Sequence, residues 1–416
     1  MHILVVTDQH PDSLGGAQVA IRTQRASLAQ FGHRVTVAAP ALHRRGYTTA
    51  SEDSEAYIAL PSLAITNDRE YGLSWPSRRT DRALQAALSA LPPVDLVHVQ
   101  GDFWGAMIGI RAARELGVPL VHTMHNNVDQ GTRAVTPFAP LVFGALRAWR
   151  GLALGRVRVR VSPKARGAWR YLAALATEAA VVIAPSRHFA DELEARGVTG
   201  AGGVSGAGVV EVVRGGADDA LVTSAVAKPR DARSRPRLVW LGRMSSEKRA
   251  LEFVEALGLA FSGPNRVDAE VQLYGAGLLL PQVQARIAAL GLGDRVTVEG
   301  PVPHVDALAA LRQADALVQT SIGFETQGLT PFEAALLGTP TVFCDAAIAD
   351  DAAVSPSWRV PTASVEALAE TLRQAVVELT AALGSDAVRV SREQTSGFLQ
   401  SEQTKRLIAL YERALG

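Results

Sequence analysis

An α/β protein built from two Rossmann-like domains with parallel sheets follows from three features of the sequence. Short apolar runs alternate with amphipathic segments of helix length, as in a parallel sheet covered on both faces. The alternation breaks at a Gly- and Pro-rich stretch and then restarts. The chain has 416 residues, 48% of them hydrophobic, and single cores seldom grow beyond ~250–300 residues. At least two cores are therefore expected.

In the first half, "HILVV" from His2 reads as a buried strand, Gly15 to Gly32 as a helix closed by that glycine, and "HRVTVAAP" as a second strand. Together they make a βαβ unit. Residues 94–100 ("VDLVHVQ"), 107–117 ("MIGIRAARELG") and 119–125 ("PLVHTMH") repeat the pattern, and "AAVVIAPS" at 179–186 leads into the helical "RHFADELEARG". "GVTGAGGVSGAGVVEVVRGGADD" and "AKPRDARSRPR" have no clear period and mark the inter-domain crossing. Beyond it come the strands "RLVWLG", "AEVQLYG", "RVTVEG", "ALVQTS" and "TPTVFCD", separated by "KRALEFVEALGLA", "LLPQVQARIAALG", "VDALAALRQA" and "GFETQGLTPFEAALLGTP".

In that last segment Thr330 suits an N-cap, Pro331 the first helical position, Glu333 the acid of a capping box and Gly338 the stop. A helix over 331–337 is predicted. The expected organisation is a first domain over 1–212, a linker over 213–236, a second domain over 237–395, and a C-terminal helix over 396–416 free to pack back on the first domain. No period of ~20–50 residues marks a solenoid.

Composition narrows the function. A net charge of +1 argues against a nucleic-acid partner. The single cysteine, Cys344, excludes an internal disulfide framework and a multi-cysteine metal site. "MHILVVTDQHPD" lacks the basic lead and apolar length of a signal peptide, and no uncharged apolar run is long enough to span a bilayer. A cytoplasmic location is expected, with any membrane contact confined to the surface.

Polar residues gather at the expected strand ends, where open α/β sheets bind ligands. In "TDQHPDSLGGAQ", Gly15 and Gly16 precede a helix, which suits either a phosphate approached by backbone or a simple tight turn. His10, Asp12 and Gln18 add polar groups there. "PLVHTMHNN" sets His122, His125, Asn126 and Asn127 at another strand end, with His125 either facing a ligand or satisfied structurally. A metal between His122 and His125 is disfavoured, because residues three apart in a strand point to opposite faces and no carboxylates accompany them.

In the second half Arg243 and Lys248 bracket a turn, as a departing diphosphate requires, although Glu247 could neutralise Lys248. Glu333 has a use as a helix cap, whereas Glu325 has no local structural need. The amides of Gln327, Gly328 and Leu329 lie near the helix's positive end, which attracts phosphate. The combined reading is a diphosphate-linked ligand in a cleft.

These motifs resemble those of the retaining GT-B glycosyltransferases of glycosyltransferase family 4, over most of the chain. "GGAQ", "HTMH", "LGRMSSEK", "YGAG", "LGLGDRVTVEGPV" and the E-x7-E of Glu325 and Glu333 stand in family order and spacing. Two elements depart from the pattern. In "VVRGGADD", Arg214 and Gly215 replace the Pro and Asn of the family's Pro-Asn-Gly-Val-Asp, and Gln327 replaces the Phe of its Glu-x-Phe-Gly loop.

The resemblance implies a GT-B fold with its sheets facing across a cleft, and transfer of a hexose with retention from a UDP- or GDP-sugar. No metal, other cofactor or protein nucleophile is implied. Arg243 and Lys248 would hold the donor diphosphate with the amides of Gly16, Gly328 and Leu329. Glu333 would bind the ribose, Glu325 the donor sugar with His125 nearby, and the backbone from Val298 through Gly300 to Pro301 would edge the base. His10 and Gln18 fall to the acceptor.

Residues 130–177 contain nine Arg or Lys and no acid, including Arg147, Arg150, Arg156, Arg158, Arg160, Lys164, Arg166 and Arg170, interleaved with Leu, Val and Trp. Such a segment suits an anionic membrane surface or a rim that steers an anionic donor. "HVQGDFWGAMIGIRAARELGVPLVHTMHNN" is similar to the bacterial diacylglycerol and phosphatidylinositol glycosyltransferases, which points to a lipid acceptor. A soluble or cell-wall carbohydrate acceptor and an epimerase-like nucleotide-sugar enzyme are the alternatives. A sugar-binding protein without activity would be expected to carry an export signal.

Overall fold

Strands that are apolar along their whole length need cover on both faces, and the chain supplies it twice. A computed structural model describes residues 1–13, 15–47, 56–155, 161–200, 209–323 and 325–416. They divide into two units, Met1–Gly215 with Gln403–Gly416, and Gly216–Glu402.

The first unit holds a seven-stranded sheet, in spatial order Tyr57–Leu60, Arg34–Pro40, His2–Thr7, Leu96–Gln100, Leu120–Thr123, Val181–Ala184 and Glu211–Val212. Every neighbouring pair is parallel. The second unit repeats the arrangement with six strands: Val296–Gly300, Glu270–Tyr274, Arg237–Leu241, Ala316–Gln319, Thr341–Phe343 and Ser357–Arg359. These too are all parallel. In both sheets the chain starts in the middle, works to one edge, then returns to build the other side. That is the doubly wound order 3-2-1-4-5-6, whose reversal leaves a crevice at the carboxyl ends of the two central strands.

The predicted strands and helices of the two alternating patterns are present, and the structure adds helices that the sequence reading did not single out. They include Arg78–Leu88, Val128–Val135, Ala139–Leu154, Gly167–Ala176 and Val365–Ala381. Within the span read as a linker, Asp219–Ala227 is a helix of the second unit, capped by the Asp218 carboxylate, which accepts from Ala220 N and Leu221 N. The predicted helix over 331–337 starts earlier, at Leu329. Its N-cap is Gly328, at φ 71°, a conformation that a side chain at this position would strain. Thr330 and Pro331 therefore lie inside the first turn, and Glu333 is not a capping-box acid.

The helix Gln400–Leu415 belongs to the first unit from Gln403 onward. Leu407, Leu410 and Tyr411 pack with Ile3, Val5 and Val121 of the central strands. The His98 ring is fully buried and bridges Tyr411 Oη at 2.7 Å and Thr123 Oγ1 at 2.8 Å. Burial, then the neighbouring His125 and His122, push His98 down from 6.5 to about 3. An unfolded chain takes up a proton there near pH 6.5, whereas the folded chain does not until about pH 3. Stability is thus expected to fall as the pH drops through that window, by up to about 1.4 kcal/mol per pH unit from this group. Urea unfolding between pH 7 and pH 5 tests it: His98→Gln should flatten the dependence, and an unchanged slope would refute the assignment.

Candidate functional site

In the second unit the two central strands, Arg237–Leu241 and Ala316–Gln319, release the loops that carry Arg243, Lys248 and Glu325. Lys248 Nζ donates to Glu325 Oε1, and Ser321 Oγ donates to the same oxygen at 3.0 Å. Thr320 ties the loops together: its hydroxyl donates to the Lys248 carbonyl and accepts from Trp240 Nε1 at 2.8 Å. Asp345 accepts from Gly323 N at 2.6 Å through one oxygen and caps the helix Ala346–Ala352 through the other. The acidic loop is thereby held at Thr320 and Gly323, the residues leading up to Glu325.

Beyond that loop, the helix Leu329–Leu336 opens on Gly328 without a side-chain cap. Its first amides need acceptors, and a helix start of this kind favours an anion. Glu333 is nearly buried and meets His304 Nε2 at 2.7 Å. The two acids of E-x7-E are therefore held by different partners, Glu325 by Lys248 and Glu333 by His304. Gly300 ends its strand at φ 76° and accepts from Gly275 N at 2.8 Å. Gly275, at φ 122°, must be glycine because the Gly242 carbonyl occupies the place of a Cβ. Val298 is half-buried on the same strand as Gly300, while Arg243 is exposed.

In the first unit the loops leave His2–Thr7 and Leu96–Gln100. The Asp8 carboxylate accepts from Asp102 N at 2.6 Å, Phe103 N at 3.1 Å and Gly105 N at 2.7 Å, capping the helix Trp104–Leu116. Asp102 Oδ2 accepts from His125 N at 3.0 Å and from Asn126 N and Nδ2, both at 2.8 Å. His122 Nε2 donates to Gly101 O at 2.8 Å, 3.4 Å from Asp102 Oδ1. Burial acts to raise Asp102, yet hydrogen bonds from His122 and Asn126 and the nearby rings hold it below its usual value. Burial and then Asp102 push Asp8 up to about 7, against its three backbone donors. Burial lowers His125, with Asp102 opposing, so a neutral ring meets Gln100 Oε1 at 3.2 Å.

The remaining expected residues lie in the first βα loop. Gly16 is exposed at the start of its helix, whose Gly15 N-cap supplies no side-chain partner, and Gln18 is half-buried with its amide folded over Gly15. His10 is only 6% exposed, its ring between Tyr47 and Tyr57 at 5.4 Å from each centroid. Its Nδ1 accepts from Asp12 N at 3.1 Å, so Nε2 is the one ring atom left to reach an acceptor. Among the described residues no cluster of three or more His, Cys, Asp or Glu is arranged to hold a metal ion.

The sequence reading missed Asp8, Asp102, Thr320, Asp345 and His304. Asp8 and Asp102 had a signal: "VVTD" and "HVQGD" each place an aspartate just past a strand, the same position that singled out His125.

The basic segment also needs correction. Arg150 is buried and pairs with Glu178 at 3.3 Å, and Arg133 pairs with Asp129 at 2.8 Å. Arg147, Lys164, Arg166 and Arg170 are exposed, while Arg156, Arg158 and Arg160 lie outside the described residues.

Two doubly wound halves, each with polar loops at its own switch point, define the GT-B class. The chain belongs to the GT-B glycosyltransferases: residues 14–202 match Glycosyltransferase Family 4, and residues 235–377 match Glycosyl transferases group 1. It is 24% identical over 351 residues to an alpha-monoglucosyldiacylglycerol synthase of Streptococcus pneumoniae, covering 82% of this chain and 70% of that one. It is 26% identical over 428 residues to a 2-deoxystreptamine glucosyltransferase of Streptomyces kanamyceticus, covering 96% and 99%. Among solved structures, sucrose-phosphate synthase from Thermosynechococcus elongatus superposes with a TM-score of 0.69 at 19% identity, over 99% of this chain and 98% of that one. Anabaena HepE in complex with UDP and glucose gives 0.67 at 16%, over 99% and 100%. Both share the fold.

Asp102→Ala would strand the three donors of His125 and Asn126 inside the first unit. Unfolding free energy is expected to drop by about 1–3 kcal/mol or more. An unchanged urea midpoint would show that Asp102 does not hold this strand end.

Proposed function

We propose that this glycosyltransferase moves a hexosyl group from a UDP- or GDP-sugar to a hydroxyl of a membrane glycolipid or lipid precursor at the cytoplasmic face, with retention and without a metal. The observation that carries the donor side is the second unit's switch point, where Arg243, Lys248, Glu325 and an uncapped helix start stand on the loops of the two central strands. The bond between anomeric carbon and diphosphate oxygen breaks with its electron pair passing to the diphosphate. Lys248, Arg243 and the amides of Gly328 and Leu329 take up that charge. Glu325, exchanging Lys248 for sugar hydroxyls, orients the ring, and Glu333 beside His304 accepts from the ribose. The acceptor oxygen bonds to the same face of the sugar while its proton passes to the departing phosphate. In the first unit, His125 and the loop of Gly16 and Gln18 serve the sugar and the acceptor.

The lipid acceptor rests on a surface. Phe138, Leu141, Ala145, Ala148 and Leu152 are all exposed and spaced three and four apart on and just before the helix Ala139–Leu154, so they form one apolar stripe. Phe138, Leu141 and Leu152 are 66%, 72% and 74% exposed. Trp75, 56% exposed, stacks on Trp149 of the same helix at 5.2 Å. Arg147, Lys164, Arg166 and Arg170 add exposed positive charge from a segment without acids. An apolar stripe with cations beside it matches the boundary of an anionic bilayer. No helix of the described residues is long and apolar enough to cross a membrane. The pneumococcal relative is, by its name, a diacylglycerol-glycolipid enzyme. A soluble acceptor is the second reading, favoured by the near full-length match to the 2-deoxystreptamine enzyme.

A panel of UDP- and GDP-sugars, with nucleotide diphosphate release as readout, tests the donor assignment; turnover of none would end it. Glu325→Gln and Lys248→Ala should each lower turnover by about tenfold or more with the fold intact, and near-normal rates would remove them from the site. Leu141→Glu with Leu152→Glu should weaken co-sedimentation with anionic vesicles by about tenfold or more. If vesicles change neither sedimentation nor activity, the acceptor is soluble.

A further inference from the structure

The edge of the second sheet opposite the Lys248 loop carries a cluster of arginines that no step of the transfer uses. Four of them share three acceptors. Asp315, just before the strand Ala316–Gln319, accepts from Arg230 and, at 3.3 Å, from Arg233. The Ala314 carbonyl, past the end of helix His304–Gln313, accepts from Arg230 at 3.2 Å and Arg389 at 2.9 Å. The Leu337 carbonyl, at the end of helix Leu329–Leu336, accepts from Arg312 at 3.2 Å and Arg389 at 3.0 Å. Sharing acceptors in this way links the guanidinium groups in a row from Arg233 through Arg230 and Arg389 to Arg312.

Their charge is not balanced. Asp315 offers one negative charge and each helix end about half of one, which leaves about two positive charges over. The Arg237 guanidinium turns away to Glu270 at 3.1 Å, and only its amide reaches Asp315, at 2.8 Å. Exposed Asp386 and exposed Arg392 also act on the cluster, with opposite signs. Burial first, then Arg230 and Arg312, push Arg389 down to about 9, and Arg312 and Arg233 are lowered as well.

The donors are also not all used. The Nε atoms of Arg230, Arg233 and Arg312 are buried without a hydrogen-bond partner, and the Arg233 side chain is only 8% exposed. Arginines that served only to staple two helix ends to the sheet would not need the extra charge. Crowded guanidinium forks are, however, suited to a tetrahedral oxyanion, whose oxygens take several N–H donors together.

We propose that Arg230, Arg233, Arg312 and Arg389 form an oxyanion site of the phosphate class at the amino edge of the second sheet, separate from the donor-phosphate position at its carboxyl edge. The ligand is either free phosphate or the phosphate group of a small metabolite. The site does not depend on the transfer reaction proposed above.

Thermal unfolding at fixed ionic strength, with chloride exchanged for phosphate, is the first test. The midpoint should rise by several degrees in the wild type and equally in Lys248→Ala, and the rise should be lost in Arg312→Gln. Equilibrium dialysis with labelled inorganic phosphate should find one site that survives Lys248→Ala and is abolished by Arg230→Gln, which keeps the question decidable if Arg312→Gln does not fold. Glucose 6-phosphate in place of inorganic phosphate separates the two sources, and binding of either supports the site. A rise of equal size in Arg312→Gln would be a general salting effect and would overturn the proposal. So would binding that vanishes with Lys248 instead of with the arginines, or the absence of binding by both phosphates.

Discussion

A parallel strand can be followed by a parallel neighbour only if the chain first travels back along the sheet. That constraint, met in each unit, sends every strand's carboxyl end to one edge and every return to the other. The candidate site residues inherit this polarity. Arg243, Lys248 and Glu325 follow the carboxyl ends of their strands, as do Asp8, Asp102 and His125. Asp315 and the helix carbonyls of Ala314 and Leu337 collect at the opposite edge, where the arginines meet them. Two chemically different surfaces result from one rule of chain direction.

Loops leaving strand ends would be poorly fixed without further ties, and buried carboxylates provide them. Asp8 holds the amides at 102, 103 and 105; Asp102 holds those at 125 and 126; Asp345 holds Gly323 and starts the next helix. Each acid bonds mostly to backbone, so it fixes the path of the loop whatever side chains the loop presents. Glu325 differs, since its partners are the side chains of Lys248 and Ser321. Side-chain partners can be exchanged for those of a ligand without moving the backbone.

Much of this was legible in the sequence because period, glycine and strand-end position are local signals. The alternation gave both sheets, and the structure brings Lys248 of its motif to Glu325, the first acid of the E-x7-E spacing. What stayed hidden depends on distant residues. His304 lies 29 positions before Glu333, and the two meet only once the helices pack. Arg150 looked like surface charge because its counter-ion, Glu178, stands just outside the basic segment. Thr330 had the chemistry of an N-cap but lost the position to Gly328, whose left-handed backbone turns the chain into a helix two residues sooner. The helix Ala139–Leu154 was missed because its apolar residues face both the core and the exposed stripe, which blurs the period.

The burial of Tyr411 bears on how the protein is made. Ile3 and Val5 are made about four hundred residues before Leu407, Leu410 and Tyr411, which cover part of the face they build. The second unit, continuous from Gly216 to Glu402, has its whole sequence available before the first unit has its own. During synthesis that face of the first unit's sheet therefore lacks its covering helix until the whole second unit has been made.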